Sequence, residues 1–253
     1  MRKVFVIIAI VIFCLPFGVF AQSRPGTPPM DGGARPFTSL RERMLTHHTG
    51  WDIGLSFGTA HSLADIGGTR DQSRILFFDT QWKATGLHFG AFGRYRFNEL
   101  LALTTEFNYG KIGGADSLSP QTSSRYNRAY HFENRLYEMA FKGEVYLPKY
   151  LLDVPFDLYA YAGFGLFYHD PDLSVTNPDT FQPASFSHVQ PSIPMGLGVH
   201  YTFPNNFRIG YNIGWRKTFT DHLDGLSTRS SRGNDSFYFN SFNLGYYFRV
   251  KQY

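Results

Sequence analysis

Cysteine is nearly absent from this sequence. Cys14 stands alone in the first apolar run, which rules out intrachain disulfides and leaves no thiol for chemistry downstream. Beyond Ala21 no apolar stretch approaches the roughly 18 residues that a membrane-crossing helix needs, so any crossing of a bilayer must use strands. A dominant charge is missing too: 24 Lys and Arg against 20 Asp and Glu give a formal +4, too even a balance to argue for nucleic acid. Gly67-Gly68 and Gly113-Gly114-Ala115-Asp116-Ser117 share only glycine with phosphate-binding loops, since neither leads into Lys-Ser/Thr or a helix start. They read as flexible loops.

Groups that could carry chemistry are thinly spread. His47-His48 and His61 have no carboxylate or third ligand at a metal-site spacing, and read as solvated side chains. His61, Ser62, Asp65, Asp71 and Asp79 fall in the first long connection, where the residue types of a hydrolytic triad occur without any sign of convergence. No catalytic residue, no cofactor and no metal site is expected.

What is present is aromatic and apolar residues in a particular order. Arg2 and Lys3, the apolar run from Val4 to Val19, and Ala21 before Gln22 form a secretory signal, expected over residues 1–21; its loss would lower the formal charge to +2. Residues 22–50 hold Pro25, Pro28, Pro29 and Pro36 with paired glycines, and are expected to be a periplasmic linker. Within it Ser39 and Glu42 could cap a short helical turn.

From Trp51 onward, in residues 51–253, the period becomes two. Trp51, Ile53, Leu55 and Phe57 alternate with Asp52, Gly54, Ser56 and Gly58, and the pattern recurs over Leu87–Phe97, Leu101–Tyr109, Tyr137–Leu147, Phe156–Tyr168, Ile193–Phe203, Phe207–Trp215 and Phe242–Val250. The fifth segment is apolar on both faces, so its phase stays open. Large apolar side chains on one face and small or polar ones on the other, with 26 Phe, 16 Tyr and 25 Gly in the chain, predict an all-β fold. Its form is a membrane-spanning antiparallel up-and-down β-barrel of about eight strands, bathed by outer-membrane lipids. Phe164, Phe167, Tyr168, Tyr246, Tyr247 and Phe248 read as girdle or lipid-facing residues.

The inward phase holds Arg94, Arg96, Glu106, Glu138, Lys142, Glu144, Arg208, Arg216 and Arg249. An eight-stranded interior is only wide enough for side chains to fill, so these charges are expected to pair in a plugged lumen. Links after strands two, four and six are short and the others long, the habit of barrels with short periplasmic turns. Both mature ends are then expected in the periplasm, and partner contacts on that rim at Arg41, Arg43, Lys149, Tyr150 and Leu151, where charge lies beside apolar side chains.

Three stretches are more specific than barrel grammar requires: Gly163 to Pro171, Ser192 to Val199, and Arg216 to Thr228 with its Thr-Asp-x-Leu-Asp-x-x-Ser-Thr string. With Tyr109 to Ser117 and Arg128 to Glu138, they resemble PorG-like outer-membrane proteins of the type IX secretion system. The resemblance implies a non-enzymatic barrel in the cell outer membrane whose partners are a periplasmic ring lipoprotein and its partner subunit. The other reading is a surface adhesin or general structural barrel that acts through its long outer loops.

Overall fold

A computed structural model describes residues 49–64, 66, 82–119, 121, 126, 129–148, 155–175, 186–226 and 234–250. Eight antiparallel strands close on themselves in chain order: β1 (Gly50–Leu63), β2 (Gly86–Arg96), β3 (Leu101–Ala115), β4 (His131–Tyr146), β5 (Asp157–Ser174), β6 (Val189–Thr202), β7 (Phe207–Thr218) and β8 (Ser236–Arg249). Closure comes from β1 pairing β8, with Gly50 opposite Arg249 and Leu63 opposite Ser236, so no strand is left as a sheet edge along the body. Gly50, the expected last residue of the linker, is the first of β1 and pairs with both Arg96 and Arg249. Residues 1–48, which include the expected signal, most of the linker and the short helical turn, lie outside the described residues, as do Lys149, Tyr150 and Leu151.

Alternation sets the inside and the outside. In β4 every second residue is exposed and the rest are buried from His131 to Tyr146. Leu55, Leu87, Phe107 and Leu197 are each well over half exposed, a pattern that would be untenable in water and is what a lipid-facing surface requires. The band has aromatic borders. At the short-turn end Trp51 lies 4.9 Å from Tyr95, Tyr201 lies 4.9 Å from Phe203, and Tyr246 lies 4.8 Å from Phe248. At the long-loop end Tyr109, Tyr137 and Tyr168 form a row with ring separations of 5.2 and 6.4 Å. Between the borders β3 runs from Leu101 to Tyr109, close to the ~9–11 tilted residues that cross a bilayer core. The chain is therefore a membrane-spanning, outer-membrane-type barrel.

The short turns are fixed by local chemistry. Asn98 Oδ1 accepts the N–H groups of Leu100 and Leu101 at 2.8 Å, an Asx turn that reverses β2 into β3. At Pro204-Asn205-Asn206, Phe203 C=O accepts Asn206 N–H at 3.0 Å and Asn206 takes φ 67°, giving a type I turn with a left-handed third residue. Proline supplies the φ of the first turn position and asparagine tolerates the last.

Past the tyrosine row the strands continue well beyond the segments that alternation suggested, and β3, β4 and β5 project as a three-stranded tongue. There the sense of the alternation reverses. Lys111, Glu133, Arg135, Asp170 and Asp172 face outward, while Ile112, Phe132, Leu136 and Phe167 are buried inside. Water has replaced lipid outside and apolar side chains have replaced charge inside. Gly113 and Gly114 belong to this extension of β3 and are not loop residues; a side chain at Gly114 would strike the Phe132 ring and the Ile66 carbonyl.

Candidate functional site

The lumen is the most elaborate polar site among the described residues. Five cations, Arg94, Arg96, Lys142, Arg208 and Arg216, meet five carboxylates, Asp52, Glu106, Glu138, Glu144 and Asp157. The strands supply them on the inward phase, so β1, β2, β3, β4, β5 and β7 each contribute at least one. Nearest the short turns, Arg96 lies 3.4 Å from Asp157 and donates to the backbone carbonyls of Asn98 and Glu99, which ties the lumen to the first turn. His200 Nε2 lies 3.2 Å from the other oxygen of Asp157.

One level further in, Asp52 Oδ2 accepts from Arg94 at 2.7 Å and from Arg208 at 2.8 Å. Arg94 Nε lies 2.8 Å from Glu144, which also accepts from the hydroxyls of Thr104 and Tyr146. The third level joins Lys142 to Glu106 and Arg216 to Glu138 at 3.2 Å, with Asn108 and Ser192 donating to Glu138. Each cation also faces a ring: Arg94 lies between Phe92 and Tyr159, Arg96 over Tyr146, Lys142 over Tyr161, Arg208 over Tyr247 and Arg216 over Phe239. Charge pairing plus ring faces lets charge sit in a buried interior that would otherwise expel it.

Small residues make room for these rings. A Cβ at Gly198 would lie 2.7 Å or less from three atoms of the Tyr159 ring. The phase of β5, open from its sequence, is thereby explained: Tyr159, Tyr161 and Phe167 point inward against glycines of β6 or the apolar plug, and Leu158, Phe164 and Leu166 face lipid. Phe167 and Tyr247 are thus interior residues and not girdle residues, at 1% and 6% exposure.

Above the charges sits an apolar plug of Ile112, Phe132, Leu136, Phe167, Phe237 and Phe239, closed by Ile66, Leu223 and Leu226 from the loops. The Thr-Asp-x-Leu-Asp string builds this closure. Asp224 accepts the N–H of Ile66 with one oxygen and of Leu226 with the other, at 3.0 and 2.9 Å, while Asp235 accepts Leu223 N–H and Asn134 donates to Leu223 C=O. Gly225, at φ 78°, turns the chain between the two buried leucines, against Leu173 and Pro171. Removing the Asp224 carboxylate strands two buried N–H groups, so Asp224→Ala is expected to loosen the cap at a cost of about 1–3 kcal/mol per group. Hydrogen exchange at residues 221–226 should speed up while β6 and β7 amides hold; equal protection in the variant would remove Asp224 from this role.

Of the nine charges expected inside, eight lie there at 8% exposure or less. Arg249 does not: it is exposed at the last position of β8, because the inward phase reaches the barrel mouth there and the side chain meets solvent. Asp52, Asp157 and His200 complete the set, and the charge at Asp157 had no sequence signal because β5 lacked a phase. His61 and Ser62 are strand residues of β1 and not loop residues; His61 stacks on Tyr238 at 4.6 Å and contacts the hydroxyls of Thr59 and Thr85. Asp65, Asp71, Asp79, His47 and His48 lie outside the described residues. Among the described residues no three His, Cys, Asp or Glu side chains converge as a metal site.

Residues 46–249 match the family model described as a domain of unknown function, DUF6089. No curated protein matches the chain. Similar solved structures include Ail, the attachment invasion locus protein of Yersinia pestis, with 17% identity, a TM-score of 0.42, and coverage of 79% of this chain and 100% of that one. Neisserial surface protein A is 14% identical with a TM-score of 0.46, covering 78% and 97%. OprG from Pseudomonas aeruginosa is 13% identical with a TM-score of 0.42, covering 82% and 100%.

Proposed function

The chain belongs to the DUF6089 family, and from that premise we propose that it is a non-enzymatic outer-membrane component of a protein secretion machine of the type IX kind. In this reading it anchors a periplasmic ring lipoprotein and its partner subunit, with its short turns and both mature termini on the periplasmic side. The observation that carries the reading is the filled lumen. Glu138, Phe132, Leu136 and Phe239 present no accessible surface inside, so the barrel offers an exported chain no route and its work falls to its rims. Resemblance through the Gly163, Ser192 and Arg216 stretches supplies the choice of machine.

The contacts are assigned to Arg41, Arg43, Lys149, Tyr150 and Leu151 on the short-turn side. Charge reversal at Arg41 and Arg43, or Ala at Tyr150 and Leu151, should leave a heat-modifiable barrel in the membrane. Recovery of ring subunits from detergent extracts should fall about tenfold, as loss of an interface anchor worth about 1.4 kcal/mol would produce. Normal secretion by these variants, with export lost on deletion within residues 172–179, would put the working face at the other end. A surface-binding role is the second reading, favoured by the tongue of β3, β4 and β5, which carries ordered charge beyond the tyrosine row.

A further inference from the structure

The barrel wall has a notch at its long-loop end. β2 begins only at Gly86, its pairing with β3 ends at His88 opposite Gly110, and β3 runs on to Ala115 paired with β4 alone among the strands. Two 3-10 turns, Trp82–Ala84 and Asp116–Leu118, flank the space. The resulting groove encloses about 420 Å³ and opens on the outer surface.

Its chemistry changes with height. The floor is Leu87 and Phe89, both more than half exposed and continuous with the lipid-facing belt, and Tyr109 of the girdle row stands at the level where belt gives way to water. Above that level the walls carry Lys83, which is exposed, and Lys111, which lies 2.9 Å from Glu133. Two lysines, one of them already paired, and a single carboxylate therefore line the groove with His131 above the tyrosine row, over an apolar floor continuous with the lipid-facing belt. A water-soluble ligand would leave the floor unmatched, and a neutral lipid would leave the extra positive charge unmatched.

We propose that this notch binds a phosphate-bearing anionic membrane lipid from the leaflet at the long-loop end, with its phosphate at Lys83 and Lys111 and an acyl chain along Leu87 and Phe89. The site is independent of the secretion role. It would make the barrel select its neighbouring lipid at one place on its circumference.

Native mass spectrometry of the full barrel, folded in detergent and titrated with phosphatidylglycerol or phosphatidylcholine, reads this directly. One phosphatidylglycerol should be retained in preference to phosphatidylcholine. Lys83→Gln should cut that preference about fivefold, the effect of one cation at a headgroup surface. Ala115→Trp should block retention by filling the groove, while Lys217→Gln, a cation on the far side at β7, should change nothing. Heat-modifiable mobility checks that each variant is folded; if Ala115→Trp does not fold, Lys83→Gln alone decides. Equal retention of the two lipids, or a preference untouched by Lys83→Gln, overturns the proposal. Displacement of the lipid by glycerol phosphate alone would identify a soluble-phosphate site and overturn the lipid assignment.

Discussion

Asp52→Ala should destabilise the folded barrel by about 3–5 kcal/mol, the usual consequence of stranding a buried partner charge. One oxygen of Asp52 serves both Arg94 and Arg208. Arg94 keeps Glu144 after the loss, but Arg208 keeps only the Thr202 hydroxyl and the Tyr247 ring among the partners described for it. The orphaned guanidinium then dominates the cost. Adding Arg208→Met to Asp52→Ala should recover most of the stability, because the pair as a whole is worth far less than the penalty for breaking it. Urea unfolding in lipid vesicles, followed by tryptophan fluorescence and by mobility on unheated gels, measures both variants. An Asp52→Ala barrel within about 0.5 kcal/mol of the parent, the scatter of an ordinary surface change, would show that the network does not hold the lumen together.

The second large effect concerns the outer face. Leu197 is 68% exposed, near the middle of the lipid band on β6, between Ala160 of β5 and Ile213 of β7. Leu197→Arg should cost about 2–4 kcal/mol in a bilayer, and Leu103→Arg on β3, whose cross-strand partner is Tyr95 of the aromatic border, less than that. Thr104, one residue along, is buried and donates to the Glu144 carboxylate at 2.6 Å, so Thr104→Val should lose about 1.5–3 kcal/mol for one hydrogen bond to a charged group, whatever the solvent outside the barrel. The two neighbours thus answer to different solvents. Folding yield into vesicles separates them: if Leu197→Arg and Leu103→Arg insert as efficiently as the parent, the exposed belt is not in contact with lipid.

Residues 1–48 aside, the part of the barrel legible in the sequence coincides with the part that touches lipid. Readable alternation in β3 stops at Tyr109, in β4 it starts at Tyr137, and in β5 it ends at Tyr168, which are the three residues of the upper aromatic row. Below that row one face must be apolar for lipid and the other small or polar for a narrow lumen, so period two writes the fold into the composition of each strand. Inward charges on β2, β3, β4 and β7 were visible for the same reason.

Above the row the solvent on each side changes, and the same strands carry Lys111 and Glu133 outside and Phe132 and Leu136 inside. No local signal announces that inversion, because each residue is ordinary for a strand and only the height of the membrane decides which phase is which. The same holds for Phe167, apolar like its lipid-facing neighbours and interior only because it meets Phe237 across the lumen at 5.5 Å. Asp224 is a further case: two residues from Leu226 in sequence, it also holds Ile66, 158 positions away. The sequence by itself determined a strand-built membrane barrel, its lipid face and most of its interior charges, since those follow from a two-residue period and one apolar solvent. Only tertiary closure decided which cation meets which carboxylate, where the apolar plug replaces the charges, and where the wall is notched, since each depends on register between strands far apart in the chain.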